Sequence, residues 1–310
     1  RDFYNPDYKV GYVFLANLVA SGFTLVLLLP WIVDIKWVFA GGLWYRMIAY
    51  SFPLLLAGLS GTLNDVLDKV ILRRMIGDPE GLAILGKYGA GYKVGVLMAL
   101  FIQMFRFAAE PFFFERAKRA DAKSTYSEVM KYFIVAMLIV FLFINLYISV
   151  FKHLIDVNYR DALNVVPVIS MAYLLYGIYV NHSIWYKLND MTIFAVYITF
   201  AGALVTVAVN VLFIPYFGYM ASAWAHIASY TAMIILSFIF AEKRYRVDYN
   251  MKQFIPYFAL ATGMVILAGL IRFPNMLTEM IVNTGLLIIF IAYAQYRDGI
   301  ITILTGRRAD

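Results

Sequence analysis

Cysteine is absent from the 310 residues, which excludes disulfides, thiolate metal sites and cysteine nucleophiles. Charge is scarce too: Asp, Glu, Lys and Arg make up 15% of the chain, against about 25% in an ordinary soluble domain. That is too little polar surface to cover a globule. No Gly-rich phosphate loop, zinc-ligand spacing or serine elbow occurs, so no cofactor, no metal and no enzymatic activity are expected. No connection between apolar runs is long enough to form an extramembrane domain.

What remains is apolar: 63% hydrophobic residues and a mean hydropathy of +0.76. These figures imply an all-α integral membrane protein. The formal charge of +7 invites a nucleic-acid reading, but the basic residues are scattered through short loops, as membrane topology requires. No nucleic-acid partner is expected. The first apolar run, from Gly11, is about twice a signal-peptide core and lacks a small-residue cleavage site, so it reads as a spanning helix.

A spanning helix needs about 20 apolar residues. Nine runs qualify: Gly11 to Val33, Met47 to Leu72, Tyr88 to Phe107, Lys131 to Val150, Leu163 to Trp185, Thr192 to Ile214, Tyr219 to Phe240, Phe254 to Ile271 and Met276 to Ala294. Residues 34–46 between the first two carry Trp37, Trp44 and Tyr45 and suit an interfacial linker or short helix. Lys and Arg divide roughly two to one between the two sets of loops, which places the C-terminus in the cytoplasm and Arg1 outside. An odd count of spans with an outer N-terminus leads us to expect an odd number of helices before Arg1. Pro53, Pro111, Pro167 and Pro256 lie in or near the runs, and Gly91 and Gly95 give a small-xxx-small spacing, which favours bent and closely packed helices.

Several charges need an explanation. In Asn64-Asp-Val-Leu-Asp-Lys-Val70, Asp65 lies about 27 Å from Met47 at ~1.5 Å per residue, near the outer interface. Asp65 and Lys69 can pair along the helix, and Asn64, Asp65 and Asp68 share a face. Either the helix ends there in water or the cluster faces something polar inside the protein. Lys93 lies deeper, where a lipid-facing charge costs about 2.5–3.5 kcal/mol; a cavity or a buried partner is expected. Arg106 stands three residues beyond Gln103 and four before Glu110, so an Arg106–Glu110 pair can be structural or functional. His182 and His226 read as packing or cavity-lining groups, not metal ligands, and the Asn181-His-Ser183 sequon is discounted inside its apolar run.

The run from Val209 to Ala225 has Asn210, then Ile214-Pro215, Gly218 and the small residues Ala221, Ser222, Ala223 and Ala225. It reads as a tight helical hairpin in which Pro215 stops the first helix and Gly218 allows the turn. It resembles the Asn-x-x-x-Ile-Pro-x-x-Gly-x-x-Gly-Ala-Ala turn of bacterial polysaccharide flippases (the O-antigen, or Wzx, type) in the multidrug/oligosaccharidyl-lipid/polysaccharide exporter superfamily. Ala221 stands where the family has its second Gly. The segment Asp68-Lys-Val-Ile-Leu72, with Gly77, Leu85-Gly-Lys-Tyr88 and Tyr92-Lys93, is similar to a second family pattern, with Lys69 in place of Arg.

The resemblance covers essentially the whole chain. It implies the sixth to fourteenth helices of a fourteen-helix, two-lobed transporter: residues 1–33 as the last N-lobe helix, 34–46 as the linker and 47–310 as the C-terminal lobe. It implies a multi-pass protein of the bacterial inner membrane that flips an undecaprenyl-pyrophosphate-linked oligosaccharide for cell-surface polysaccharide such as lipopolysaccharide. Its partners are then the lipid-linked oligosaccharide, the bilayer and other polysaccharide-assembly proteins. Lys93, Arg106 and Lys69 are the pyrophosphate candidates; Asp65, Asp68 and Glu110, with Asn64 and Gln103, position cations or couple ion movement; Asn210, Pro215 and Gly218 build the turn. A multidrug cation antiporter of the same superfamily is the alternative. A membrane glycosyltransferase or polymerase is disfavoured because the outer loops are short.

Overall fold

The computed structural model describes residues 11–33, 38–271 and 273–299. Arg1, Lys9, Lys36, Trp37, Arg272, Arg307 and Arg308, which entered the topology and linker readings, lie outside them. Twelve α-helices follow in order: α1 Gly11–Val33, α2 Gly41–Ile76, α3 Glu80–Gly95, α4 Leu97–Arg116, α5 Ala122–Leu146, α6 Ile148–Phe151, α7 Val166–His182, α8 Ile184–Leu188, α9 Ile193–Phe217, α10 Tyr219–Glu242, α11 Ile255–Leu270 and α12 Met276–Asp298. Among the described residues there is no strand, and nine helical segments are long and apolar enough to cross a bilayer. The chain is an all-α, multi-pass membrane protein.

It falls into two compact units, up to Ile48 and from Ala49 onward. In the second, α5 and α7 are buried over more than half their length. They are apolar on every side, as core helices are. Tyr126, Met130, Ile134, Leu138 and Leu142 of α5 and Val166, Ile169 and Leu174 of α7 are wholly covered.

Helix breaks depart from the expected runs. The third run is split at Val96, so Lys93 closes α3 and Arg106 lies in α4. The fifth is split at Ser183 between α7 and α8. Residues 41–46, assigned to a linker, are the first turns of α2, which runs 36 residues through Pro53. Pro111 likewise lies inside α4, whereas Pro167 and Pro256 open α7 and α11, where a missing N–H costs nothing. At the turn after α2, Arg73 donates to both Asp78 oxygens (2.6 and 3.1 Å). That hydrogen bonding holds the Asp78 carboxyl below its usual range.

The hairpin forms, with one correction. Pro215 does not stop α9: the helix continues to Phe217, and the reversal is made by Gly218 alone at φ +54°. Proline inside a helix loses a hydrogen bond and crowds the carbonyl four residues back, which kinks a helix without always ending it, while a positive φ is where glycine is needed. Ser222 Oγ donates to Asn210 Oδ1 at 2.6 Å across the hairpin, and Ser229 Oγ donates to the Gly202 carbonyl at 2.9 Å.

The Gly91–Gly95 spacing marks a true close approach. A Cβ at Gly91 would stand 2.2 Å from the Ala162 carbonyl oxygen, and one at Gly95 2.6 Å from the Ile169 side chain. At Gly89 it would meet nothing within 4 Å. Gly91→Ala is therefore expected to destabilise by ~1–3 kcal/mol through overpacking, and Gly89→Ala to be neutral or slightly stabilising. Thermal unfolding of the two variants in detergent checks this.

Candidate functional site

The cluster at 64–70 does not lie at a helix end. α2 continues to Ile76, about two turns past Asp68, and its buried positions are Ala57, Asn64, Asp68 and Leu72. They fall on one stripe at helical spacing. Of the two readings, the interior one holds.

Asp68 has no exposed surface. Tyr88 of α3 donates to its Oδ2 at 2.9 Å, and His226 Nε2 of α10, equally buried, lies 3.1 Å from the same oxygen. Lys69 Nζ stands 3.4 Å from Oδ1, donates to the Asp65 main-chain carbonyl and sits 4.0 Å over the Tyr92 ring. Next along the stripe, Thr206 of α9 donates to Asn64 Oδ1, and Asn64 Nδ2 donates to Ser229 Oγ of α10 at 3.3 Å. Tyr230 donates to Asp65 at 3.1 Å, and the Tyr92 and Tyr173 hydroxyls meet at 2.5 Å. Five helices are joined by this network. It gathers Asp65, Asp68, Lys69 and His226, four ionisable side chains, in one polar cluster. Among the described residues His226 Nδ1 has no hydrogen-bond partner.

Asp65 and Asn64 border a cavity of about 760 Å³ between α2, α4, α7, α8, α9 and α10. Six tyrosines line it: Tyr50, Tyr173, Tyr176, Tyr179, Tyr186 and Tyr230. At its far end stand Arg106, Glu110 and Lys187. The expected Arg106–Glu110 pair is not made; Glu110 Oε1 instead accepts from Lys187 Nζ of α8 at 2.5 Å. A partner on a facing helix met the carboxylate better than the neighbour one turn away.

The predicted residues thus separate. Asn64, Asp65, Arg106 and Glu110 line the cavity, and Asp68 and Lys69 stand behind its wall. Asn210 and Gly218 belong to the hairpin. Lys93 is exposed on the outside of α3 and Gln103 on α4, and neither borders the cavity. The cavity or buried partner expected for Lys93 is not there, because neighbouring Tyr92 and Val94 take the buried directions. His182 is a satisfied core residue, 2.7 Å from Ser237 Oγ and stacked on Phe238.

The sequence reading missed Lys187, Tyr88, Thr206, Ser229, Tyr230 and the role of His226. A signal was present: Ser222, His226, Ser229, Tyr230 and Ser237 form a polar stripe at helical spacing along an otherwise apolar α10. Among the described residues, no three His, Asp or Glu side chains are placed to hold a metal ion. Comparison of the chain with protein-family models, with curated proteins and with solved structures finds no match.

Removing one member of a buried charged pair strands its partners. Asp68→Ala should therefore cost ~3–5 kcal/mol, in line with buried pairs elsewhere. Asp68→Asn, which keeps an acceptor for Tyr88, should cost less. Unfolding in detergent measures both, and equal losses would refute the hydrogen-bond account.

Proposed function

We propose that this protein is a flippase that carries a lipid-linked oligosaccharide, an undecaprenyl-pyrophosphate sugar repeat, across the bacterial cytoplasmic membrane by alternating access. The observation that carries the reading is the tyrosine-lined cavity with Arg106 and Lys187 at one end. Tyrosine offers a flat apolar face for the C–H surface of a sugar ring and a hydroxyl for its polar edge. Two cations in a sheltered site suit a diphosphate, because charge-assisted hydrogen bonds strengthen as water is excluded. About 760 Å³ lies within the ~300–1,000 Å³ of ordinary ligand sites and accommodates a diphosphate and the first sugars. The resemblance of the hairpin and of the Asp68–Lys93 segment to polysaccharide flippases points the same way. The cation pair is revised from the sequence expectation: Lys187 replaces Lys93, and Lys69 is engaged by Asp65 and Asp68.

One observation favours a second reading, the multidrug cation antiporter. Asp65 faces the cavity beside Tyr176 and Tyr230, and an acid among aromatic rings suits an organic cation. In either reading the buried Asp65–Asp68–Lys69 group is a place for a coupling proton or cation, where charge uptake acts on α2.

Complementation with the full-length protein separates the two. Replacing Arg106 and Lys187 together by Ala should abolish polysaccharide export while the protein still inserts, and Lys93→Ala should leave export intact. Normal export from the double variant removes the flippase reading. Resistance to cationic dyes that Asp65→Asn abolishes selects the antiporter.

A further inference from the structure

The far end of the cavity is built as an anion site, and the protein already fills it with its own anion. Lys187 Nζ is held by Glu110 at 2.5 Å, and its side chain keeps only 16% of its exposure. Arg106, one turn before Glu110 on α4, forms no ion pair among the described residues; Phe107, 6.0 Å from its guanidinium, is its ring neighbour. Between Arg106, Glu110, Lys187 and Asn181 lies a gap of about 10 Å³, the size of one water and far too small for a phosphate. Asn181 borders that gap while buried to 2% exposure, and neither its amide N nor its O has a hydrogen-bond partner among the described residues. An unpaired buried amide is costly, and here it stands beside two cations and one carboxylate.

We propose that Arg106, Lys187 and Asn181 form a phosphate-binding subsite, and that Glu110 is its internal competitor, yielding Lys187 when a phosphate or diphosphate enters. Three features carry this. Glu110 occupies Lys187 as an entering phosphate oxygen would. Its side chain is 37% exposed, so it has open space to swing into. The Lys187 backbone carbonyl accepts from Tyr50 Oη at 3.4 Å, which keeps α8 beside α2 when the carboxylate leaves. On exchange Lys187 trades one oxyanion for another, Arg106 and Asn181 gain partners, and Glu110 passes to the open side of the cavity. The identity of the anion as a lipid diphosphate rests on the flippase reading; the subsite does not.

The test is binding of inorganic pyrophosphate, farnesyl diphosphate and farnesol to the purified protein in detergent by isothermal titration. Lys187→Met should weaken pyrophosphate about tenfold, the worth of a charged hydrogen bond, and Lys187→Arg should retain it. Glu110→Gln should strengthen it by a similar factor, because the competitor is gone. A merely structural ion pair predicts the opposite sign for Glu110→Gln. Unchanged or weakened pyrophosphate binding in Glu110→Gln therefore overturns the proposal, whether or not Lys187→Met folds. If pyrophosphate follows this pattern while farnesyl diphosphate binds no more tightly, the subsite stands and the lipid-carrier reading falls.

Discussion

A carboxylate with no exposed surface, Asp68, sets the terms for the rest of the bundle. Moving an ionised group out of water costs several kcal/mol even after relaxation, and only close partners repay it. Its partners come from three places: Tyr88 on α3, His226 on α10 and Lys69 on its own helix. Each must be in register or a charge is stranded. The fit of α2 against the lobe is thus dictated by hydrogen-bond geometry more than by apolar packing. Only Ala57 and Leu72 on that helix are buried and apolar, beside Asn64 and Asp68. The tight α9–α10 hairpin serves the same end. Gly218, Asn210–Ser222 and Gly202–Ser229 keep those two helices close enough for Thr206 and Ser229 to reach the same asparagine.

Much of the architecture was legible because it depends on local pattern. Nine apolar runs of spanning length became, among the described residues, nine helical segments long and apolar enough to cross a bilayer, and Gly91 and Gly95 mark a contact where no side chain fits. Gly218 announced a turn that only a residue without Cβ makes easily. The break at Val96 follows Gly95, a residue the sequence reading used only for close packing, and the break at Ser183 has no Gly or Pro beside it; neither break was read from the sequence.

The site was legible in its acids and illegible in its partners. Asn64, Asp65 and Asp68 were singled out because charge in an apolar run is costly wherever it falls. Direction was the missing quantity. Lys93 lies deep in its run yet points outward, since Tyr92 and Val94 beside it point in; depth says how expensive a charge is, and face says whether the cost is incurred. The Arg106–Glu110 expectation failed for a related reason. Spacing along one helix exposes pairs at i and i+4, but Lys187 comes from a helix 77 positions away in sequence. What sequence did offer was the coincidence of polar stripes: Asn64 and Asp68 on α2, Thr206 and Asn210 on α9, and Ser222, His226 and Ser229 on α10. Three apolar helices with one polar stripe each have a strong reason to meet along those stripes, because in lipid no other partner is on offer.

The two ends of the cavity share the helix that bounds it. At one end Asp65 and Asn64 tie α2 to α9 and α10; at the other Tyr50 of α2 meets the Lys187 carbonyl of α8. On the proposed reading, a charge taken up at Asp65–Asp68–Lys69 would alter the first attachment, and an anion bound at Lys187 would alter the surroundings of the second. Both act on α2, a helix held by directional hydrogen bonds. Such a seat is more sensitive to displacement than a broad apolar one, since apolar contact changes gradually with position while a hydrogen bond weakens steeply as its geometry is lost. Polar attachment at both ends of a spanning helix is therefore a physical means for a charge at one end of the cavity to be felt at the other.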